Sequence, residues 1–111
     1  MAVDLAAMLG GRCARTARVV DLSLVGCLIR SEAPLDAGAV VDVRVEMPDG
    51  LLQAKARVAE SLLDGASLPG ERPRFLSGLE FMGIAAADEV RLRAFVAAEA
   101  KRGRGAHTAP S

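Results

Sequence analysis

Ala39-Val40-Val41-Asp42-Val43-Arg44-Val45-Glu46-Met47-Pro48-Asp49-Gly50-Leu51-Leu52-Gln53-Ala54-Lys55-Ala56-Arg57-Val58 is the most regular stretch of this 111-residue chain. Before the proline, Ala39, Val41, Val43, Val45 and Met47 fall on one side, and Asp42, Arg44 and Glu46 on the other. A period of two marks a strand with one buried face, because successive side chains of extended backbone point opposite ways. After the glycine, Leu52, Ala54, Ala56 and Val58 alternate with Gln53, Lys55 and Arg57. Pro48 presets φ and Gly50 tolerates a positive φ, so Pro48-Asp49-Gly50 reads as a turn. Residues 39–47 and 51–60 therefore predict an antiparallel hairpin.

The same pattern continues on both sides. Val3–Met8 and Arg12–Val20 flank Leu9-Gly10-Gly11, and paired glycines suit the tight primed turn of a second hairpin. A further strand is predicted over Cys27–Ser31, directly after Gly26, with a connecting loop from Pro34 to Gly38. Residues 61–73 contain Asp64-Gly65 and Pro69-Gly70 and read as an irregular excursion. Phe75–Met82 forms the last strand, with Phe75, Leu79 and Phe81 on one side. Several short strands punctuated by turn residues predict an antiparallel barrel or sandwich.

After Ala85 the period changes. Leu92, Phe95 and Val96 stand at i, i+3 and i+4, with Asp88 and Glu89 in the first turn and Lys101 and Arg102 in the last. Both ends then complement the helix dipole, which predicts one amphipathic helix lying on the sheet. Residues 1–102 make one domain, and 103–111, without an apolar period, are expected to be a disordered tail.

Composition narrows the function. The chain is 51% hydrophobic and 3% aromatic, and its fourteen basic and fourteen acidic side chains cancel. The apolar share suffices for a core at this length. Without a cationic surplus or aromatic platforms, neither DNA nor RNA is an expected partner. No apolar run is long enough to insert in a membrane, and Met1–Leu9, interrupted by Asp4, lacks a basic leader, so the expected location is cytoplasmic. Cys13 and Cys27 form no Cys-x-x-Cys and are expected to be reduced core residues. The one histidine, His107, has no partners there, so no catalytic residues, metal ligands or cofactor are expected. The chain reads as a non-enzyme.

The stretch Arg18-Val19-Val20-Asp21-Leu22-Ser23-Leu24-Val25-Gly26-Cys27-Leu28-Ile29-Arg30 carries the best candidate site. Asp21 and Ser23 are two apart and project to one face of an extended segment. Gly26 lets the chain turn and lets a ligand approach the backbone. A carboxylate and a hydroxyl also shape turns by bonding local N–H groups, and the spacing alone leaves both readings open.

Asp-x-Ser-x-x-Gly between two strands, the later Gly78-Leu79-Glu80-Phe81 and the closing helix resemble a PilZ domain over roughly residues 2–100. The resemblance implies a six-stranded antiparallel PilZ-like β-barrel with one C-terminal α-helix. It also implies a receptor for the bacterial second messenger cyclic di-GMP, which signals through an unidentified downstream protein. Asp21, Ser23 and Gly26 then belong to the ligand surface. A carboxylate can accept from the guanine N1–H and N2–H edge, and a hydroxyl can bond phosphate, ribose or base.

The family's second element is absent. An Arg-x-x-x-Arg loop precedes the first strand in such domains, yet no two arginines of this chain stand four apart. Arg12, Arg15 and Arg18 are spaced by three, and their alternation on a strand cannot imitate a loop clamp. Two explanations compete: a start upstream of Met1, or a divergent member acting as a ligand-independent interaction module. Losing two charge-assisted bonds of about 1.5–3 kcal/mol each would weaken binding severely. Arg18 and Arg30 are candidate auxiliary cations, as are Arg72 and Arg74 before the last strand.

Overall fold

The structure, a computed structural model, describes residues 1–10, 15–65 and 69–108. Six strands precede one helix: β1 (Ala2–Gly10), β2 (Arg15–Leu22), β3 (Gly26–Ser31), β4 (Val40–Met47), β5 (Gly50–Leu63), β6 (Phe75–Ile84) and α1 (Ala86–Thr108). All neighbouring pairs are antiparallel, and the order β1-β2-β3-β6-β5-β4 closes into a barrel. Closure comes from β1 against β4, where Ala7 faces Val45 and Gly10 faces Asp42. A closed cylinder leaves fewer unpaired edges, and an edge is the usual weak point of a small sheet.

The hairpin read from residues 39–60 forms as expected, with Met47 opposite Gly50 and Val43 opposite Ala54. Gly50 takes φ 129°, where a side chain would be strained. Val43, Val45, Met47, Leu52, Ala54, Ala56 and Val58 are all buried. Leu9, Val19, Leu22, Ile29 and Leu79 join them from the other strands. Alanines at 7, 17, 54 and 56 put small groups beside large ones, which lets a narrow cylinder fill without overpacking.

Several boundaries shift. β5 runs on to Leu63, so the excursion begins later than the turn residues suggested, because Ser61, Leu62 and Leu63 pair with Ser77, Leu76 and Phe75. β6 extends to Ile84, which faces Ala54. Helix α1 continues to Thr108, past the end expected at Arg102, since each added residue of a formed helix gains one backbone hydrogen bond. The expected tail is thus helical over residues 103–108, and 109–111 lie outside the described residues. So do Gly11 and Cys13, and with them the tight turn of the first hairpin. β1 and β2 nevertheless pair, with Leu9 opposite Arg15.

Helix α1 seals the barrel with Leu92, which is buried, and with Phe95 and Val96, which pack against the same core. Cys27 is buried and has no disulfide partner among the described residues, and burial pushes its thiol up to about 12. Among the described residues no helix is long and apolar enough to cross a membrane.

Candidate functional site

Strand β2 carries a bulge. Val19 faces Ile29 and Asp21 faces Leu28, so Val20 is one residue extra on its strand. A bulge inverts the alternation beyond it. Arg18 and Asp21, three apart, therefore both point outward, while Val19 and Leu22 are completely buried. Arg18 lies directly opposite Arg30 on β3. Like charges paired across two strands, their Cβ atoms about 5 Å apart, repel each other unless acids hold them. Two do: Asp4 Oδ1 accepts from Arg18 Nε at 2.9 Å and Nη2 at 2.7 Å, and Asp64 Oδ2 accepts from Arg30 Nε at 3.1 Å.

Asp21 and Ser23 do come together, but in different ways. Asp21 stands on the outer face of β2, its side chain about half exposed, and Oδ1 accepts from the Met1 amine at 2.7 Å. Ser23 follows the end of β2, and its hydroxyl is turned onto the β2–β3 connection. Ser23 Oγ accepts from the Val25 amide and donates to the Gly26 carbonyl, both at 3.2 Å. A hydroxyl has one proton and two lone pairs, so one acceptor position remains for a ligand. The turn-forming and ligand-facing uses of this side chain are compatible.

Gly26 has a reason the spacing did not reveal. Its φ is not positive, so turning is not what requires glycine. A Cβ built there would overlap the carbonyl oxygen of Leu79. Here the backbones of β3 and β6 approach too closely for any side chain, and the Phe81 amide donates to the Val25 carbonyl at 2.8 Å.

Asp21, Ser23, Val25, Gly26 and Leu28 line one wall of a shallow pocket of about 260 Å3, completed by Ala59, Gly78 and Glu80. The last three come from β5 and β6. The Gly78-Leu79-Glu80-Phe81 segment hinted at two of them and nothing in the sequence pointed to Ala59, because strand order, not sequence order, sets them beside the motif. Along the outer side of β3, Leu28 belongs to this pocket, and Arg30, two residues on, lines a separate groove with Arg18 and Arg74. Two residues of strand span about 6.6 Å, so motif and cations share one face. Of the arginines weighed before the last strand, Arg74 reaches this face. Arg72 instead pairs with Glu32 at 3.6 Å, both well exposed.

The PilZ domain profile matches residues 5–98. The chain belongs to the PilZ domain family. PilZ domains are binding and effector modules. The barrel is also similar to the PilZ domain with c-di-GMP of YcgR from Escherichia coli, with a TM-score of 0.74 and 16% identity, covering 94% of this chain and 87% of that one. K. pneumonia MrkH in its apo state superimposes with a TM-score of 0.73 at 18% identity, over 91% of this chain. This PilZ chain spans 50% of the MrkH chain. At such identities the two structures establish the shared barrel and helix. A search of curated protein sequences returned no match.

Proposed function

We propose that this PilZ domain is a cyclic di-GMP receptor whose ligand lies on the outer faces of β2, β3 and β6. The observation that carries the reading is the sharing of one face by Asp21 and the Arg18–Arg30 pair. Asp21 Oδ2 has no hydrogen bond among the described residues and suits the guanine N1–H and N2–H edge. The remaining lone pair of Ser23 Oγ suits a ribose hydroxyl or an exocyclic amine. Gly26 keeps β3 close against β6 beneath them. The guanidinium groups of Arg18 and Arg30 would meet phosphate, or guanine O6 and N7, and stand in for the missing Arg-x-x-x-Arg. The PilZ domain with c-di-GMP of YcgR is a fold relative that supports this choice of ligand.

Binding has two competitors on this face. The Met1 amine must leave Asp21 Oδ1 if both carboxylate oxygens are used, and Arg18 must partly leave Asp4. Each exchange lowers net affinity, since only the difference between old and new bonds contributes. The protein is non-catalytic in this reading and works in the cytoplasm through a downstream protein.

Titration calorimetry with cyclic di-GMP tests it. Saturable heat is expected, with Asp21→Ala and Arg18→Ala each weakening the dissociation constant by roughly tenfold to a hundredfold. Their melting temperatures should stay near that of the parent, because both side chains are exposed. Absence of heat at high micromolar dinucleotide, or affinity indifferent to both substitutions, rejects the receptor. A ligand-independent interaction module would then be the function of the barrel.

A further inference from the structure

Beyond the Arg18–Arg30 pair, away from Asp21, the outer faces of β4, β1, β2 and β3 enclose a groove of about 620 Å3. That is more than twice the volume of the pocket beside Asp21. Its floor contains Ala6 and Thr16, with Met8 between Arg44 and Thr16 in register, and Leu51 enters from the start of β5. Met8 is 45% exposed and Leu51 50%. Other apolar side chains, such as Val25, Leu62, Leu63 and Val90, are also open to water, but Met8 and Leu51 gather in one concavity, which is what marks a contact site.

Arg18, Arg30, Arg44 and Arg74 line the groove against Glu32 and Glu46. Three of these arginines have carboxylates outside the groove, namely Asp4, Asp64 and Glu71. Arg44 has no ion pair among the described residues, and it stands directly beside Met8. A guanidinium without its own acid, next to an exposed thioether, offers the two halves of a mixed contact. Three strand spacings across the groove measure about 14 Å, the reach of four or five residues of extended chain.

We infer that this groove docks an extended segment of a partner protein that carries one acidic residue with an apolar residue two positions away on either side, so that all three share one face. The acid pairs with Arg44, and the apolar side chains settle on Met8 and Leu51. Glu46, two residues from Arg44 on the same face, repels a second carboxylate and so disfavours a simple acidic run. The inference does not depend on dinucleotide binding.

The test is a nitrogen-15 NMR titration of the whole chain. The probe is an acetylated, amidated heptapeptide with a central aspartate, a leucine two positions to either side of it and serines elsewhere, so that aspartate and leucines share one face of the extended chain. Saturable shifts are expected at the amides of Met8, Thr16, Arg44 and Leu51, and Arg44→Glu should weaken binding about tenfold or more. The peptide with asparagine for aspartate, and the one with alanine for leucine, should each bind more weakly. Arg44→Gln provides a second variant, with circular dichroism confirming that it folds. The inference is overturned by an absence of saturation at about 5 mM peptide. It is equally overturned by shifts confined to another face, by unchanged affinity in both Arg44 variants, or by acetate alone reproducing every shift. Loss of cyclic di-GMP binding with the peptide titration intact would reject the receptor reading and leave this one standing.

Discussion

Gly26 shows how one position can be recognised from the sequence for an incomplete reason. The Asp-x-Ser-x-x-Gly spacing singles it out, yet what demands glycine is the carbonyl of Leu79, contributed by a strand far along the chain. Gly26→Ala must push β3 from β6 or bend the β2–β3 connection. Overpacking of this kind costs about 1–3 kcal/mol, or more where backbone must move. Urea unfolding of the ligand-free protein should show that loss directly. A Gly26→Ala midpoint equal to the parent's would mean that β6 yields without strain, and that the glycine answers to ligand approach alone. Ser23 illustrates the converse. Its type and place suited either a turn or a ligand, and its hydroxyl serves the turn while one lone pair stays unused among the described residues.

Helix α1 was legible through Leu92, Phe95 and Val96, which pack on the core as their spacing implies. Its fastening was not. Arg91, one residue before Leu92, donates to Asp49 Oδ1 and Oδ2, to Asp88 Oδ1 and to the carbonyls of Gly50 and Leu51. The β4–β5 turn is thereby tied to the first turns of the helix. The hydrogen bonds from Arg91, with the charge of the guanidinium, hold the Asp49 carboxyl below the usual carboxylate range despite some desolvation. The unfolded chain therefore binds more protons than the native one in acid, and stability falls as pH drops. The contribution is complete above the ordinary carboxylate value of about 3.9 and is lost as pH falls through the lowered value. Asp49→Asn should melt below the parent at pH 7, with the gap closing as the pH is lowered from 5 towards 3. A gap that stays constant over that range would show that the ionised state of Asp49 contributes nothing to folding.

Closure of the barrel joins β1 to β4, and β3 to β6, across long stretches of chain. Contacts of this kind must overcome loop-closure entropy before they stabilise anything, and β-barrels of this size refold over about milliseconds to seconds. Stopped-flow refolding from urea should fall in that window. Leu9→Ala, which hollows the interior where β1 meets β4, should cost about 2–5 kcal/mol. Refolding in microseconds, or a Leu9→Ala cost near zero, would contradict a closed cylinder held by β1. The same closure explains why the pocket beside Asp21 draws on β5 and β6. These strands reach the motif only because β3 pairs with β6 rather than with the next strand in the chain.

By itself the sequence determined which residues face inward, since a period of two in Ala39–Val58 and of three and four in Leu92–Val96 follows from local backbone geometry. It also determined the composition of the motif, because Asp21, Ser23 and Gly26 lie within a few residues of one another. Only the tertiary structure decided what those residues meet. The bulge at Val20 that turns Arg18 and Asp21 to the same side depends on the partner strand. The pairing of Arg18 with Arg30, the Leu79 carbonyl under Gly26 and the groove around Arg44 arise from strand order and register. Neither leaves a local trace, since hydrogen bonds between strands are made by backbone groups common to nearly every residue.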